Sequence, residues 1–446
     1  MEYSEAIDYL LSLSDMERGY QASTNVTMNL ASMRGLLARL NHPQRDRPTV
    51  HVTGSKGKGS TSAMIAGILR RAEYNVSLYS SPHLHSYTER INIGGDSISP
   101  EEFAAGLSAI RDAIEAERQG VHGDVSTFGA LTALFFWLTR AQLPRVDWQV
   151  VEVGLGGTFD ATNVMDPPEV AVITPVSLEH TAILGNTPAE IARDKAGIIK
   201  EGCTAVVAQQ QDPEVIGVVR ERCDEVGAEL IDVGSLYEVE VTEKHAFGQA
   251  FVVRGPEGVR QMRSPMLGLH QVQNAATAVA AAEAIRKRGY PVSDLAIADG
   301  VAHTRVPGRL EVMGQAPLIV ADGAHNDESA AALAAALKDY FTWRRCFLVL
   351  GCNRDKDVRG IAFKLARLAQ LIICTRFENP RAMDPFVMIQ EVGFLGPAAV
   401  AEESVADALD TALSHAEAED LVVVTGSLYV VAEARERLLG ESVIRR

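Results

Sequence analysis

The sequence predicts an α/β protein built on two parallel-sheet domains, and three observations carry that expectation. Apolar runs of roughly four to six residues recur along the chain with helix-like stretches between them, the pattern of parallel β-α architecture. Its 446 residues exceed what one ordinary core holds, which favours two domains or three. From Val301 to Arg309 the periodicity lapses around Pro307-Gly308, so a hinge at 303–308 is expected between an N-terminal domain, 1–302, and a C-terminal one, 309–446.

In the first domain, strands are expected from Thr49 to Val52, Asn75 to Tyr79, Trp148 to Val153, Val170 to Thr174 and Ala205 to Ala208. Helical patterns cover Thr61 to Arg71 and Thr127 to Ala141. The stretch from Leu236 to Arg263 alternates in short strand-like runs, with Gly248, Gly255 and Gly258 as turn points, and reads as a small antiparallel patch. An Ala-rich helix follows from about Gln271 to Arg288. Beyond the hinge, strands are expected at Leu318 to Ala321, Cys346 to Leu350, Leu371 to Cys374 and Leu421 to Val424, with helices at Glu328 to Tyr340 and Tyr429 to Leu438. Clefts between two such domains are frequent ligand sites.

Composition excludes several classes of function. A hydrophobic content of 47% with 22% charged residues fits a soluble globular chain. The net charge of −16 argues against nucleic acid as a partner, because phosphate backbones need clustered cations. No apolar run reaches the length of a membrane span, and the acidic start Met1-Glu2-Tyr3-Ser4-Glu5 is unlike a secretory signal. Five dispersed cysteines without CxxC spacing read as reduced thiols, so a cytoplasmic location is expected.

The clearest motif is Gly54-Ser55-Lys56-Gly57-Lys58-Gly59-Ser60, set between a strand and a helix. Its glycines allow a tight loop whose backbone N–H groups point inward at phosphate oxygens. Lys58 would reach the β- and γ-phosphates of ATP, and the Ser60 hydroxyl would ligate magnesium. The full G-x4-G-K-[ST] spacing is not met, and the bland alternative is a Gly/Ser-rich surface turn. Glu152 ends an apolar strand, where a carboxylate is costly unless it is paired, metal-bound or turned to solvent. Lys195 lies on a helix signalled by Thr187 as N-cap, Pro188 in the first turn and Glu190 completing a capping box. It shares one face with Ile191 and Ile198, from which its amine either snorkels to water or enters a site.

The variant loop resembles that of the Mur ligase superfamily, and within it the chain resembles the folylpolyglutamate synthase / dihydrofolate synthase family along nearly its whole length. Supporting runs include Ser80-Ser81-Pro82-His83-Leu84, Glu152-Val153-Gly154-Leu155-Gly156-Gly157, Asp160-Ala161-Thr162-Asn163 and Lys195-Ala196-Gly197-Ile198. Others are His270-Gln271-x-x-Asn274, Pro307-Gly308-Arg309, Asp322-Gly323-Ala324-His325-Asn326 and Gly426-Ser427-Leu428-Tyr429. Their shared order is what makes the resemblance specific.

The resemblance implies a P-loop-containing parallel-sheet N-terminal ATPase domain plus a smaller Rossmann-like α/β C-terminal domain that handles glutamate. It implies ATP-dependent joining of L-glutamate to a folate or to dihydropteroate through an acyl phosphate, by a monomer using two Mg2+ ions with K+ as an optional activator. Glu152, His180, Ser60 and a carbamylated Lys195 are then metal ligands, while Lys58, Lys195 and His325 are catalytic. The loop residues Gly54 to Ser60 hold ATP together with Asn274, Arg309 and Asp322, and the domains close about the hinge to complete the site. Ser81, Pro82, His83, Asp160 and Ser427 contact the other substrates. Each has a plain reading too: a structural His180, an Asn274 on an exposed helix face, a solvated Arg309.

Three departures from the family pattern stand out. Glu179 precedes His180 where Asp is usual, Thr158-Phe159 replace Arg-Leu, and Gly129 after Phe128 lacks the usual carboxylate. They leave the choice between dihydropteroate and reduced folate open. Two other classes compete: a cell-wall ligase acting on a UDP-linked acceptor, and a P-loop ATPase that makes no product bond. The Ser81-Pro82-His83-Leu84 run and the lack of a UDP-binding domain before the loop speak against the first. Glu152 in place of a Walker-type Asp, and no guanine-reading run, speak against the second.

Overall fold

The computed structural model describes residues 1–14 and 30–440. The N-terminal sheet comprises β1 (Thr49–Thr53), β2 (Val76–Tyr79), β3 (Ile91–Ile93), β4 (Asp96–Ser97), β5 (Trp148–Glu152), β6 (Val170–Ile173), β7 (Thr204–Val207) and β8 (Glu229–Asp232). Their spatial order is β4-β3-β2-β5-β1-β6-β7-β8, parallel from β2 to β8, with β3 and β4 added antiparallel at one edge. β1, β5, β6 and β7 are buried at every position. Both faces of such a sheet must therefore be covered. Val150 of β5 packs into the layer with the helices Lys58–Arg71 and Leu269–Lys287, whereas Val151 next to it packs against Pro100–Arg118 and Thr127–Ala141. This burial is why those segments read as unbroken apolar runs.

Register places the site. Val52 of β1 lies opposite Glu152 of β5, and Thr53 lies opposite Ile173 of β6. The loops leaving the C-terminal ends of these three adjacent strands consequently open at one edge, where ligands of open α/β sheets bind.

The antiparallel patch is β9 (Glu238–His245), β10 (Gly248–Gly255) and β11 (Gly258–Ser264), with the three glycines at strand ends. Buried Glu283 of the helix Leu269–Lys287 takes both Arg260 of β11 and the Tyr237 hydroxyl, tying patch to core. The C-terminal sheet contains β12 (Glu311–Gln315), β13 (Leu318–Ala321), β14 (Cys346–Leu350), β15 (Leu371–Thr375), β16 (Ala398–Glu402) and β17 (Leu421–Thr425), ordered β12-β13-β17-β14-β15-β16. All but the β12–β13 pair are parallel. The chain passes between domains after the helix Asp294–His303 and enters β12 through Gly308 and Leu310, both at positive φ. Across the interface Lys244 pairs with Asp339 at 2.7 Å, and Ser177 Oγ donates to Glu328 at 3.2 Å.

Several expectations need correction. β8 and β16 are absent from the sequence reading: both are edge strands, exposed or half-buried, β8 has only Leu230-Ile231 between two carboxylates, and the run Ala398 to Ala401 of β16 is mostly alanine, a weak strand former. The helix expected from Thr61 begins at Lys58, since Gly57 at φ +83 caps it. In the helix Pro188–Lys195, Thr187 Oγ1 accepts from Glu190 N at 3.2 Å. The Glu190 carboxylate, however, takes Asn186 N at 2.6 Å and does not close a capping box on Thr187. The five cysteines are free and buried. Among the described residues no helix is long and apolar enough to cross a membrane.

Candidate active site

β1 delivers the chain into Gly54, whose φ of +144 turns it against the end of β6; a Cβ there would lie 1.9 Å from Thr174 Oγ1. At Gly57 a Cβ would lie 2.4 Å from Asn274 Oδ1, so the helix Leu269–Lys287 presses its Asn274 onto the loop. Ser55 N and Lys56 N both donate to Pro175 O, at 2.9 and 3.2 Å. Those two amides therefore brace the loop and do not point inward, contrary to the sequence expectation. The donors left for phosphate are the first-turn amides of the helix Lys58–Arg71, including those of Gly59 and Ser60, which have no partner within the helix.

Two amines meet at one carbonyl. Lys58 Nζ and Lys195 Nζ donate to Gly54 O at 2.8 and 3.0 Å. Lys195 is only 1% exposed and also reaches Glu179 Oε1 at 2.7 Å. Burial, with Lys58 nearby, lowers its pKa to about 8, while Glu179 pulls the other way. Both bonding partners are acceptors and suit an amine or ammonium. The extra methylene of Glu179 over Asp lengthens its reach toward Lys195.

Glu152 stands beside the loop, since a Cβ on Gly59 would lie 3.4 Å from its Oε2. Ser81 N donates to that same oxygen at 3.2 Å. Burial raises the carboxyl pKa to about 7, against the opposing pull of Lys58, the Ser81 amide, Arg309 and Arg90. No lysine or arginine among the described residues pairs with it directly. A buried carboxylate and the Ser60 hydroxyl next to a phosphate loop fit Mg2+, which takes one or two carboxylates and completes its shell with phosphate oxygens and water. Among the described residues no three His, Cys, Asp or Glu side chains form a closed metal cage. His180 heads the short helix Thr181–Leu184 in a left-handed conformation, φ 45, within electrostatic reach of Glu179, Lys58, Lys356 and Lys195.

The C-terminal domain brings the remaining residues. Asp322 accepts Leu310 N at 2.8 Å and Ala324 N at 2.9 Å, so its carboxylate fixes the turn that carries Arg309. His325 Nδ1 is 2.9 Å from Gly323 O. A carbonyl can only accept, so Nδ1 carries the proton and Nε2 is left as an acceptor. Burial lowers this imidazole to about 4, which keeps it neutral. Ser427 caps the helix Leu428–Leu439 and accepts Tyr429 N at 3.2 Å. Lys356, missed in the sequence, lowers the pKa values of Lys56, His180 and His325 and so belongs to the same cluster. Its signal was the charged run Arg354-Asp355-Lys356-Asp357 just beyond a fully buried strand.

On the acceptor side, Ser81 and Pro82 leave β2 toward Glu152, and His83 Nδ1 accepts Arg90 Nε at 2.9 Å with its ring 4.2 Å from Tyr87. Asp160, expected from the resemblance to contact substrate, is 5% exposed. Its carboxylate is buried and takes Leu155 N at 3.0 Å, Thr162 N at 2.9 Å and Thr162 Oγ1 at 2.5 Å. Those bonds hold its own loop, leaving exposed Phe159 as the side chain that loop presents outward. A cavity of about 800 Å³ in the C-terminal domain, lined by Arg354, Arg376, Asn379 and Glu433 among others, contains none of the expected site residues.

The chain matches the Mur ligase middle domain over residues 52–282 and the Mur ligase glutamate ligase domain over residues 308–428. The dihydrofolate synthase/folylpolyglutamate synthase of Bacillus subtilis is 34% identical over 93% of this chain and 95% of its own. Folylpolyglutamate synthase of Mycobacterium tuberculosis, solved with ADP, superposes with a TM-score of 0.87 at 31% identity over 97% of both chains. E. coli FolC, solved with DHPP and ADP, gives 0.85 at 30% identity over 99% of this chain and 98% of that one. Sequence match and superposition thus agree, and the chain belongs to the dihydrofolate synthase/folylpolyglutamate synthase family of ATP-dependent Mur ligases.

Proposed function

We propose that this chain joins L-glutamate to the carboxylate of a reduced folate, of dihydropteroate, or of both, by way of an acyl phosphate. The observation that carries the reading is the convergence of Lys58 and Lys195 on Gly54 O beside the buried carboxylate of Glu152. A carboxylate is a poor acylating agent, so an oxygen of the acid attacks the γ-phosphorus, and the bond to the β–γ bridging oxygen breaks to release ADP. The glutamate amine then attacks the acyl carbon, loses a proton and expels inorganic phosphate. Lys58 and the first-turn amides Gly59 and Ser60 hold the transferring phosphoryl group. Neutral His325, with Nε2 as acceptor, receives the amine proton. Bound Mg2+ supplies charge neutralisation on the phosphate oxygens. Ser60 and Glu152 would hold one ion, and His180 with carbamylated Lys195 a second. The lowered pKa of Lys195 favours the neutral amine that addition to CO2 requires. Residues 1–302 carry the ATP side and 309–446 the glutamate side, joined by the 303–308 hinge in a monomer.

The test is a panel of acids with ATP and radiolabelled glutamate, following product mass and ADP. ADP formed only when a folate-type acid and glutamate are both present supports the reading; ADP released without any acceptor overturns it.

A further inference from the structure

We propose that the segment 81–86 is a strap that sets the Glu152 carboxylate only when the two domains are docked, with Leu84 and His85 as its positioning residues. The inference rests on Glu152 being an active-site carboxylate, as proposed above. At one end of the strap Ser81 N donates to Glu152 Oε2 at 3.2 Å. Its middle is stiffened by one side chain: Glu89 accepts the amides of Leu84, His85 and Ser86, each at 2.8 Å. Charge-assisted bonds of that kind let the segment move as a unit.

The other end is held by the C-terminal domain. Leu84 packs against the C-terminal domain's apolar cluster that includes Val430, Val431 and Val424. His85 Nε2 accepts Arg435 Nε at 3.3 Å, and its Nδ1 lies 3.4 Å from Glu436 Oε1. Arg435 in turn pairs with Glu311, whose second oxygen accepts Gly308 N at 2.7 Å. One chain of contacts therefore runs from hinge residue Gly308 to Glu152. Withdrawing Leu84 as the domains part drags on a 3.2 Å bond that has little length to spare. The consequence is that phosphoryl transfer is confined to the docked state, in which the glutamate-handling domain is in place.

The experiment uses the full chain with Leu84→Ala, His85→Gln, their combination, and Leu84→Met. Turnover is measured with tetrahydrofolate and dihydropteroate, and ADP affinity by a fluorescent analogue. Leu84→Ala is expected to lower kcat about tenfold with ADP affinity within about twofold, as a coupling loss on the order of that between distant sites. Leu84→Met restores most of it, and the double variant is no worse than the poorer single one, since both act through one strap. A kcat near wild type in Leu84→Ala, losses that multiply in the double variant, or ADP affinity falling in step with kcat overturns the proposal. Should Leu84→Ala not fold, His85→Gln carries the same comparison. Full turnover in Glu152→Gln would instead overturn the reading of the site itself.

Discussion

Replacing Glu152 by glutamine removes a charge from a place that disfavours it. Burial at the end of β5 raises this carboxyl from its ordinary 4.5 to about 7. In the unfolded chain it ionises near 4.5, so between the two values the unfolded state sheds its proton while the folded state keeps it. Folding therefore becomes costlier as pH rises from 4.5 to about 7, and the cost is constant above. At about 1.4 kcal/mol per pKa unit the ceiling is about 3 kcal/mol. Below pH 4.5 both states are protonated and the cost vanishes. Glutamine keeps the shape and an oxygen for Ser81 N but carries no charge. Glu152→Gln, free of nucleotide and magnesium, is expected to exceed the parent in stability by about 1–3 kcal/mol at pH 8, to match it near pH 4.5, and to lose ligase activity. Urea melts of both proteins in chelator at the two pH values make the comparison. A stability difference that is the same at both pH values, or a variant less stable at pH 8, would refute the burial argument.

Other expectations follow from the same geometry. Because protons and Mg2+ compete for Glu152, apparent magnesium affinity in the ATP complex should fall as pH drops below about 7, which titration calorimetry at stepped pH would read. Lys58→Ala should cut phosphoryl transfer by about 10²–10³-fold, the scale of losing one preorganised charge-stabilising donor, seen as ADP release. Lys195→Ala should be inactive yet partly rescued by short carboxylic acids; unchanged turnover would sink the carbamylated-ligand assignment. Gly57→Ala must adopt φ +83 and displace Asn274, so about 1–2 kcal/mol of stability and most ATP affinity should be lost, and a nucleotide affinity equal to the parent's would contradict the contact.

What was legible in the sequence is what burial writes into local periodicity. β13 and β14 and the helix Thr127–Ala141 were readable to the residue, because strands covered on both faces and helices between two layers must be apolar throughout. The phosphate loop was readable because a glycine-rich turn between buried strand and helix has few other uses. The edge strands left a weaker trace, β8 because carboxylates flank its two apolar residues and β16 because its apolar run is mostly alanine. The order of the sheet left none, since β1 pairs with β5 about a hundred residues away and no local pattern encodes that contact. The competition for each polar group was equally hidden. The oxygens of Asp160 and Ser427, which the resemblance assigns to substrate, also accept neighbouring amides, and Pro175 takes two amides of the phosphate loop. Residue types and their spacing by themselves determined the chemistry available to this protein: two lysines, a buried carboxylate and a glycine loop suited to phosphate. Only the tertiary structure decided which oxygen and which amide remain open to a ligand, because a hydrogen bond made inside the fold is one a substrate must displace, and such bonds join residues that the sequence holds far apart.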